Sequence, residues 1–324
     1  MNVNFELIRN NAIATERTEA VVTTRRRSAS CPICGRIVTP PAGVRITTPS
    51  HPRGLTLCDI HANVNNNEGY SVENTVHEGK RTTKGVTTSI ELEAEDVDIV
   101  AKASMFADLH FICTSDGSLD YNGVEFKSRV YDSLNPLTKG LGTIQWLNEA
   151  GHFTTLTDNT SAHIHTGVYD DVVDFRRIYG SVAEYFEEFS GLYEYLEKMP
   201  NAKMKEYFGR GFTNYARTLR RGEFDNFVLP KHNGNGKRER YGNKILKASD
   251  NLYGTGSYDC VQHYLTFNLQ HSYSIEFRLP KFINALQYRN CVLAMQDIVC
   301  TLRENNFKGV NDKMVKVFKK YFPY

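Results

Sequence analysis

The chain has 324 residues, of which 40% are hydrophobic and 23% are charged, so it can bury a full-sized core and is not a disordered tail. Its 39 Lys and Arg residues nearly balance its 37 Asp and Glu residues, and the formal charge of +2 creates no global field that favours nucleic acid or anionic lipid. No apolar run approaches the roughly 18 residues of a membrane span, and residues 1–27 are too polar for a secretory signal, which predicts a cytoplasmic protein with no membrane contact.

Four segments are predicted along the chain from its composition. Residues 29–64 are rich in Pro and Gly, an Asn-rich stretch follows them, and a long α+β region comes last. The segments are an N-terminal tether (1–28), a zinc-binding knuckle module (29–64), a linker (65–83) and a catalytic domain (84–324).

Two pairs of potential zinc ligands with equal spacing lie in the knuckle module. Cys31 and Cys34 form a Cys-x-x-Cys knuckle, and Cys58 and His61 form a Cys-x-x-His pair. In a chain without a secretion signal this pattern favours a tetrahedral Cys₃His site for Zn²⁺ over disulfides. So small a module would gain its folding free energy from the metal, so the zinc is expected to be structural. The alternative is that the four are unrelated surface or core residues.

Arginines in and beside the knuckle module offer a basic docking surface for nucleic acid. Small zinc ribbons more often bind protein or act as scaffolds, and scattered arginines are usually solvated. Nucleic acid is therefore the weaker interpretation of this surface. The arginines concerned are Arg25 to Arg27, Arg36, Arg45 and Arg53.

From residue 84 onward, β-branched runs alternate with helical stretches, which predicts an α+β domain. The predicted strands are Val86–Leu92, Val124–Val130, Ala162–Val168 and Tyr273–Leu279, and the predicted helices lie near 135–150, 174–217 and 284–305. Aromatic residues between Tyr179 and Tyr195 recur at helical spacing, which indicates packing against a sheet rather than stacking on bases.

Carboxylates alternate along the first two predicted strands. Glu91 and Glu93 project from one face, and two like charges so close indicate a cation between them. Mg²⁺ suits the pair because it prefers carboxylate oxygen and commonly bridges protein carboxylates to nucleotide phosphates. Glu125, which shares a face with Lys127, is a third candidate ligand. A solvated strand face is the ordinary alternative.

The last two predicted strands carry histidines and an ion pair. His163 and His165 lie on one strand face, where they fit a metal site or a surface pair. Glu276 and Arg278 also share a face, an arrangement able to hold a metal and to clamp a phosphate whose charge grows during transfer. An ordinary cross-strand ion pair explains Glu276 and Arg278 equally simply.

Taken in order, these elements resemble the amidoligase family, a branch of the carboxylate-amine ligases related to glutamine synthetase and γ-glutamylcysteine synthetase. The resemblance covers roughly residues 84–300. It departs from the family pattern at Ser89, where Gly is typical, and at Ser161-Ala162, where Cys-Gly is usual. The matching residues are Glu91 and Glu93, Asp116 to Ser118, Gly123 to Glu125 with Ser128, His163 and His165, Glu276 to Arg278, and the helix from Asn284.

The resemblance implies an antiparallel β-sheet bent into a funnel with helices on its outer face, the glutamine synthetase-like fold, with ATP and two or more Mg²⁺ inside. The implied activity is ATP-dependent formation of an amide from a carboxylate and an amine through an acyl phosphate. The substrates are small molecules or groups on a peptide or other macromolecule. Relatives of this fold often assemble, so an oligomer is an open expectation.

Residue roles follow from the same resemblance. Glu91, Glu93, Glu125 and Glu276, with His163 or His165, are expected to hold the metals. Arg278 is expected to stabilise the transferring phosphoryl group, and Glu125 and His165 to take part in catalysis, His165 alternatively touching the nucleotide or substrate. A basic loop would bind the nucleotide phosphates as a lid, or is simply solvated. Its charged residues are Lys231, Lys237, Arg238 and Arg240.

Two other functions remain open at this point. A phosphotransferase of the same fold would phosphorylate a small molecule without using an amine. A non-enzymatic protein would be a zinc-containing adaptor for nucleic acid or protein with a degenerate sheet domain. Cys260 and His263 also suggest a thiol nucleophile, but no orienting partner is identifiable, and free cysteine is usually a small buried hydrophobe.

Overall fold

A computed structural model describes the ranges 29–31, 36–39, 44–48, 51–58, 85–109, 111–114, 116–120, 123–131, 134–168, 175–213, 216, 218–219, 228–229, 244–245, 265–269 and 274–324. Several predictions lie outside these ranges: the tether, the linker and the basic loop, together with Cys34, His61, Cys260 and His263. In the described part of the chain, no helix is long and apolar enough to cross a membrane.

Twelve strands and six α-helices are numbered here in chain order over the described residues. The strands are β1 (Ala29–Ser30), β2 (Ile37–Val38), β3 (Val44–Thr48), β4 (His51–Leu57), β5 (Val86–Ala94), β6 (Ile112–Thr114), β7 (Val124–Lys127), β8 (Ala162–Val168), β9 (Val228–Leu229), β10 (Lys244–Ile245), β11 (Phe267–Asn268) and β12 (Ile275–Phe277). The helices are α1 (Ile99–Leu109), α2 (Leu134–Glu149), α3 (Val182–Lys198), α4 (Asn201–Phe208), α5 (Ala285–Glu304) and α6 (Asn311–Tyr321).

A six-stranded antiparallel sheet, in the order β11-β12-β8-β5-β7-β6, organises the fold. In the described ranges it has two open edges, β11 and β6, and does not close into a barrel. Three two-stranded hairpins, β1-β2, β3-β4 and β9-β10, complete the strand pairings. The architecture confirms the predicted α+β class, and all four predicted strands belong to the large sheet.

Described residues of the chain fall into two compact units. The first takes its residues from 1–79, 89–162 and 281–289, and the second takes them from 80–88, 163–280 and 290–324. Strands β5 and β8 and helix α5 therefore each contribute residues to both units.

A small apolar cluster in the first unit joins the two N-terminal hairpins to α1. Cys31 and Val38 come from the first hairpin, Ile46 and Leu57 from the second, and Ala103 from the helix. Each of the five is at most 5% exposed. Burial of these side chains gives the short hairpins an apolar surface to pack on, which strands of two residues could not supply alone.

Stacked aromatic rings form the core of the second unit. Phe267 on β11 stacks on Phe277 on β12 with ring centroids 5.1 Å apart, and Phe189 and Tyr193 of α3 each lie 5.6 Å from Phe267. All four rings are at most 1% exposed. The predicted role of the aromatic helix, packing against a sheet, is confirmed.

The helical stretch predicted near 174–217 is divided, for local reasons. Ser181 caps α3 by accepting a hydrogen bond from the N–H of Glu184, whose carboxylate accepts one from the N–H of Gly180. Pro200 follows the end of α3, and α4 ends at Gly209, which adopts φ 74° as left-handed caps do. Helices α1 and α6 are additional to the predicted ones.

Candidate functional site

Three carboxylates converge on the face of the sheet formed by β5 and β7. Register places Glu93 directly opposite Glu125. Asp116, on the turn between β6 and β7, brings a third carboxylate, and ligand atoms of the three residues all lie within 4.8 Å of one another. Oxygen donors this close fit a hard cation such as Mg²⁺. We call Glu93, Asp116 and Glu125 the carboxylate cluster.

Lys127 balances part of this negative charge. Its Nζ lies 2.8 Å from Glu125 Oε2 and 3.5 Å from Oε1 of Glu91, which faces it across the strands. Burial disfavours the charged amine, but the two carboxylates outweigh that effect and raise the pKa of Lys127. Glu91, predicted as a metal ligand, thus belongs to an ion pair with Lys127 in this arrangement.

Hydrogen bonds from neighbouring residues hold the side chains of the carboxylate cluster in place. Glu93 is 8% exposed and accepts a hydrogen bond from the Ser161 hydroxyl. Thr114 donates to Glu125 Oε2 over 3.1 Å from the edge strand β6. Asp116 Oδ1 accepts from the N–H of Ser118 at 2.8 Å, which shapes its own turn. Each carboxylate therefore has a defined orientation.

One residue past β5, Glu95 lies at the end of the same carboxylate row. It is 4% exposed, and its Oε1 accepts from the N–H of Asp120 at 2.9 Å and from the Asn159 amide at 3.3 Å. Burial alone would raise the pKa of Glu95. These donors and the charge of Lys281 outweigh burial, so that pKa is lowered and the group is ionised at neutral pH.

A second polar group surrounds Glu276 on β12, in the second unit. Glu276 is 1% exposed, and its Oε1 lies 2.6 Å from Arg278 Nη1 and 3.0 Å from His163 Nδ1. Its Oε2 accepts from Asn268 Nδ2 at 2.6 Å. These contacts fix the positions of His163 and Arg278 around Glu276.

His165 and Arg210 also contact residues of this second group. His165 pairs in register with Glu276 across β8 and β12, and its Nδ1 lies 3.4 Å from the Ser274 hydroxyl. The guanidinium of Arg210 donates to the carbonyls of Leu279 and Arg278 over 2.8 and 2.7 Å, which anchors the chain just after β12. The structure thus brings the predicted residues of β8 and β12 together.

Two of the four predicted zinc ligands are described, and both are buried. Cys31 and Cys58 are each 1% exposed and belong to the apolar cluster of the N-terminal hairpins. The N–H of Cys31 donates to the carbonyl of Arg36 at 2.8 Å.

Sequence reasoning did not place Asp116 among the candidate metal ligands, and it did not single out Glu95 or Asn268. Asp116 lies on a turn whose approach to β5 depends on tertiary structure. Glu95 continues the alternation of Glu91 and Glu93, which is a detectable signal. Asn268 lies on a strand of only two residues, too short to carry a periodic pattern.

In comparisons with known proteins, no protein-family model matches this chain, and no curated protein matches it significantly.

Proposed function

We propose that this chain is an ATP- and Mg²⁺-dependent ligase that joins a carboxylate to an amine. The observation that carries the proposal is the carboxylate cluster of Glu93, Asp116 and Glu125 in the first unit. The ion pair of the buried Glu276 with Arg278, in the second unit, supports it. Acidic oxygens for cations and an oriented guanidinium for phosphate are the two components that phosphoryl transfer requires.

The donor set of the carboxylate cluster fits Mg²⁺. Three carboxylates with ligand atoms within 4.8 Å carry more negative charge than the amine of Lys127 can neutralise. Bound Mg²⁺ would supply charge neutralisation at the phosphates of ATP. Glu91 and Glu276 remain candidate ligands in this proposal, in addition to their ion pairs with Lys127 and Arg278.

Arg278 is the proposed phosphate-binding residue. Its side chain is 12% exposed, so its charge acts in a partly desolvated setting where electrostatic interactions are strong. Glu276 holds the guanidinium in place before any ligand arrives. Such preorganisation lets the arginine stabilise charge that develops on the transferring phosphoryl group without a reorganisation cost.

The proposed reaction balances in two steps. A carboxylate oxygen of the substrate forms a bond to the γ-phosphorus of ATP while the bond from that phosphorus to the β–γ bridging oxygen breaks, giving an acyl phosphate and ADP. The amine nitrogen then bonds to the acyl carbon, the carbon–oxygen bond to phosphate breaks, and the amine loses a proton. His165 is the proposed acceptor of that proton, since neutral imidazole is the usual base near pH 7.

ADP release from ATP and Mg²⁺, measured with pools of amino acids and polyamines, tests this function. Wild type should require both a carboxylate and an amine, and Glu93→Gln and Arg278→Ala should each reduce turnover by about a hundredfold or more. The matched control is Glu206→Gln, an exposed glutamate paired only with Lys203 on α4 in the described contacts. ADP release that needs no amine would indicate a phosphotransferase, and the absence of any ATP binding would refute both enzymes.

We also propose a structural Zn²⁺ ion bound by Cys31, Cys34, Cys58 and His61. The support is the position of Cys31 and Cys58 in one cluster, together with the hydrogen bond from the N–H of Cys31 to the carbonyl of Arg36. Two cysteines in one cluster supply half of a Cys₃His ligand set, and a bound cation would stabilise their thiolate forms. The zinc would hold the two N-terminal hairpins together.

A further inference from the structure

Glu95 differs from the other carboxylates of its row because backbone and amide donors already satisfy it. Its Oε1 accepts from the N–H of Asp120 at 2.9 Å and from Asn159 at 3.3 Å. The same Asn159 amide donates to Asp120 Oδ2 at 2.9 Å. Glu95, Asp120 and Asn159 therefore form one connected network, which we call the turn anchor.

Asp120 is the last described residue of the turn that carries Asp116. Inside this turn, the N–H of Ser118 donates to Asp116 Oδ1 at 2.8 Å and the N–H of Leu119 donates to the Asp116 carbonyl at 3.3 Å. These bonds shape the turn but do not connect it to the sheet. The bond from the Asp120 N–H to Glu95 makes that connection.

Close packing at the exit of the turn limits its alternative positions. A Cβ added at Gly123 would collide with the Leu119 side chain and would lie 2.8 Å from the Asp120 carbonyl oxygen. Only glycine allows the chain to pass this close to the turn. The turn is thus fixed by the carboxylate of Glu95 on one side and by Gly123 on the other.

We infer that Glu95 is a positioning residue of the carboxylate cluster, which holds Asp116 against Glu93 and Glu125 by anchoring the turn to the end of β5. The inference rests on the proposed function, since it assigns Glu95 a part in building that metal site. Groups that orient metal ligands typically contribute about 10- to 100-fold to metal affinity, although they never touch the ion.

Titration with Mn²⁺ alone, followed by electron paramagnetic resonance of the free ion, measures the effect. Glu95→Ala should weaken Mn²⁺ binding about tenfold or more. Glu95→Gln should recover most of the affinity, because its amide oxygen still accepts the N–H of Asp120. Gly123→Ala should weaken binding as well, since it displaces the turn without changing any charge.

Glu188→Ala is the matched control for general loss of stability. Glu188 belongs to the second unit, where its carboxylate accepts the N–H groups of Gly309 and Val310 at 2.6 and 2.9 Å. It is therefore also a carboxylate anchor of a turn, and its loss should leave Mn²⁺ affinity unchanged. Equal weakening by Glu188→Ala and Glu95→Ala would overturn the inference.

Amide hydrogen exchange at Asp120 provides a readout that needs no metal. Exchange should be faster in Glu95→Ala than in wild type, and close to wild type in Glu95→Gln. Wild-type Mn²⁺ affinity in Glu95→Ala would overturn the positioning role and leave the ligase proposal intact. A wild-type protein that binds no Mn²⁺ or Mg²⁺ would instead remove the metal site, and with it both proposals.

Discussion

Glu93 and Glu125 face each other directly across β5 and β7, so two carboxylates form a cross-strand pair on a partly buried face of the sheet. Like charges in this position destabilise a sheet. The arrangement is reasonable where function requires it, because sites that bind cations are commonly built at the expense of stability. This relationship has consequences for stability and for cation binding that can be measured directly.

Neutralising one member of the pair should separate stability from metal binding. In EDTA, Glu93→Gln should have a Tm equal to or above that of wild type, because it removes repulsion and its amide oxygen can still accept from Ser161. Added Mg²⁺ at a hundredfold excess over Kd should increase the free energy of unfolding of wild type by about 2.7 kcal/mol and so raise its Tm. The Tm of the variant should not change. An equal Mg²⁺ response in both proteins would exclude Glu93 as a ligand.

Lys127 should stabilise the metal-free protein over a defined pH range. Its folded-state pKa is raised by Glu91 and Glu125, so its contribution is fully present below its ordinary pKa of about 10.5 and is lost as the pH rises through the higher folded value. The difference in Tm between wild type and Lys127→Met should therefore be constant from pH 8 to about 10 and shrink above that. Lys198→Met, at an exposed ion pair with Glu194 on α3, is the control and should change the Tm little at any pH. A difference that grows above pH 10.5 would contradict the assigned ion pair.

Loss of either described cysteine of the hairpin cluster should release zinc. Purified wild type, dialysed against buffer without chelator, is expected to contain about one Zn²⁺ per chain, and Cys31→Ser and Cys58→Ser much less. Cys113→Ser is the control, because Cys113 is also a buried cysteine but lies on β6 of the large sheet and not in the hairpin cluster. Elemental analysis by mass spectrometry gives the content. Zinc-free wild type would refute the structural site.

Phe267 should be among the most costly residues to truncate in the second unit. It is fully buried and contacts Phe189, Tyr193 and Phe277. Phe267→Ala should reduce the free energy of unfolding by about 3–5 kcal/mol, measured by urea denaturation. Phe212→Ala, at a ring that is 36% exposed, should cost much less. Similar losses in both variants would contradict this view of the core.

Alternation along the chain was sufficient to predict the strands that carry the site. Glu91 and Glu93, or His163 and His165, lie two residues apart, and a strand necessarily turns such pairs to one face. Ala162–Val168 is a strand over the predicted residues, and the aromatic helix packs as expected. Helix α1 was not predicted because buried side chains lie on all of its faces. The side chains of residues 100–105 are all buried, so the sequence shows no amphipathic period.

Strand register and turn position were decided only by the tertiary structure. Nothing local to β5 specifies that Glu93 faces Glu125 rather than Lys127, because a shift of two residues would preserve every side-chain face. Asp116 and Glu95 are 21 residues apart in the sequence, and the turn anchor forms only once the sheet has brought Asp120 to the end of β5. Local sequence thus determines which side chains share a face. Contacts between residues distant in the chain determine which of those faces, and which charges, meet.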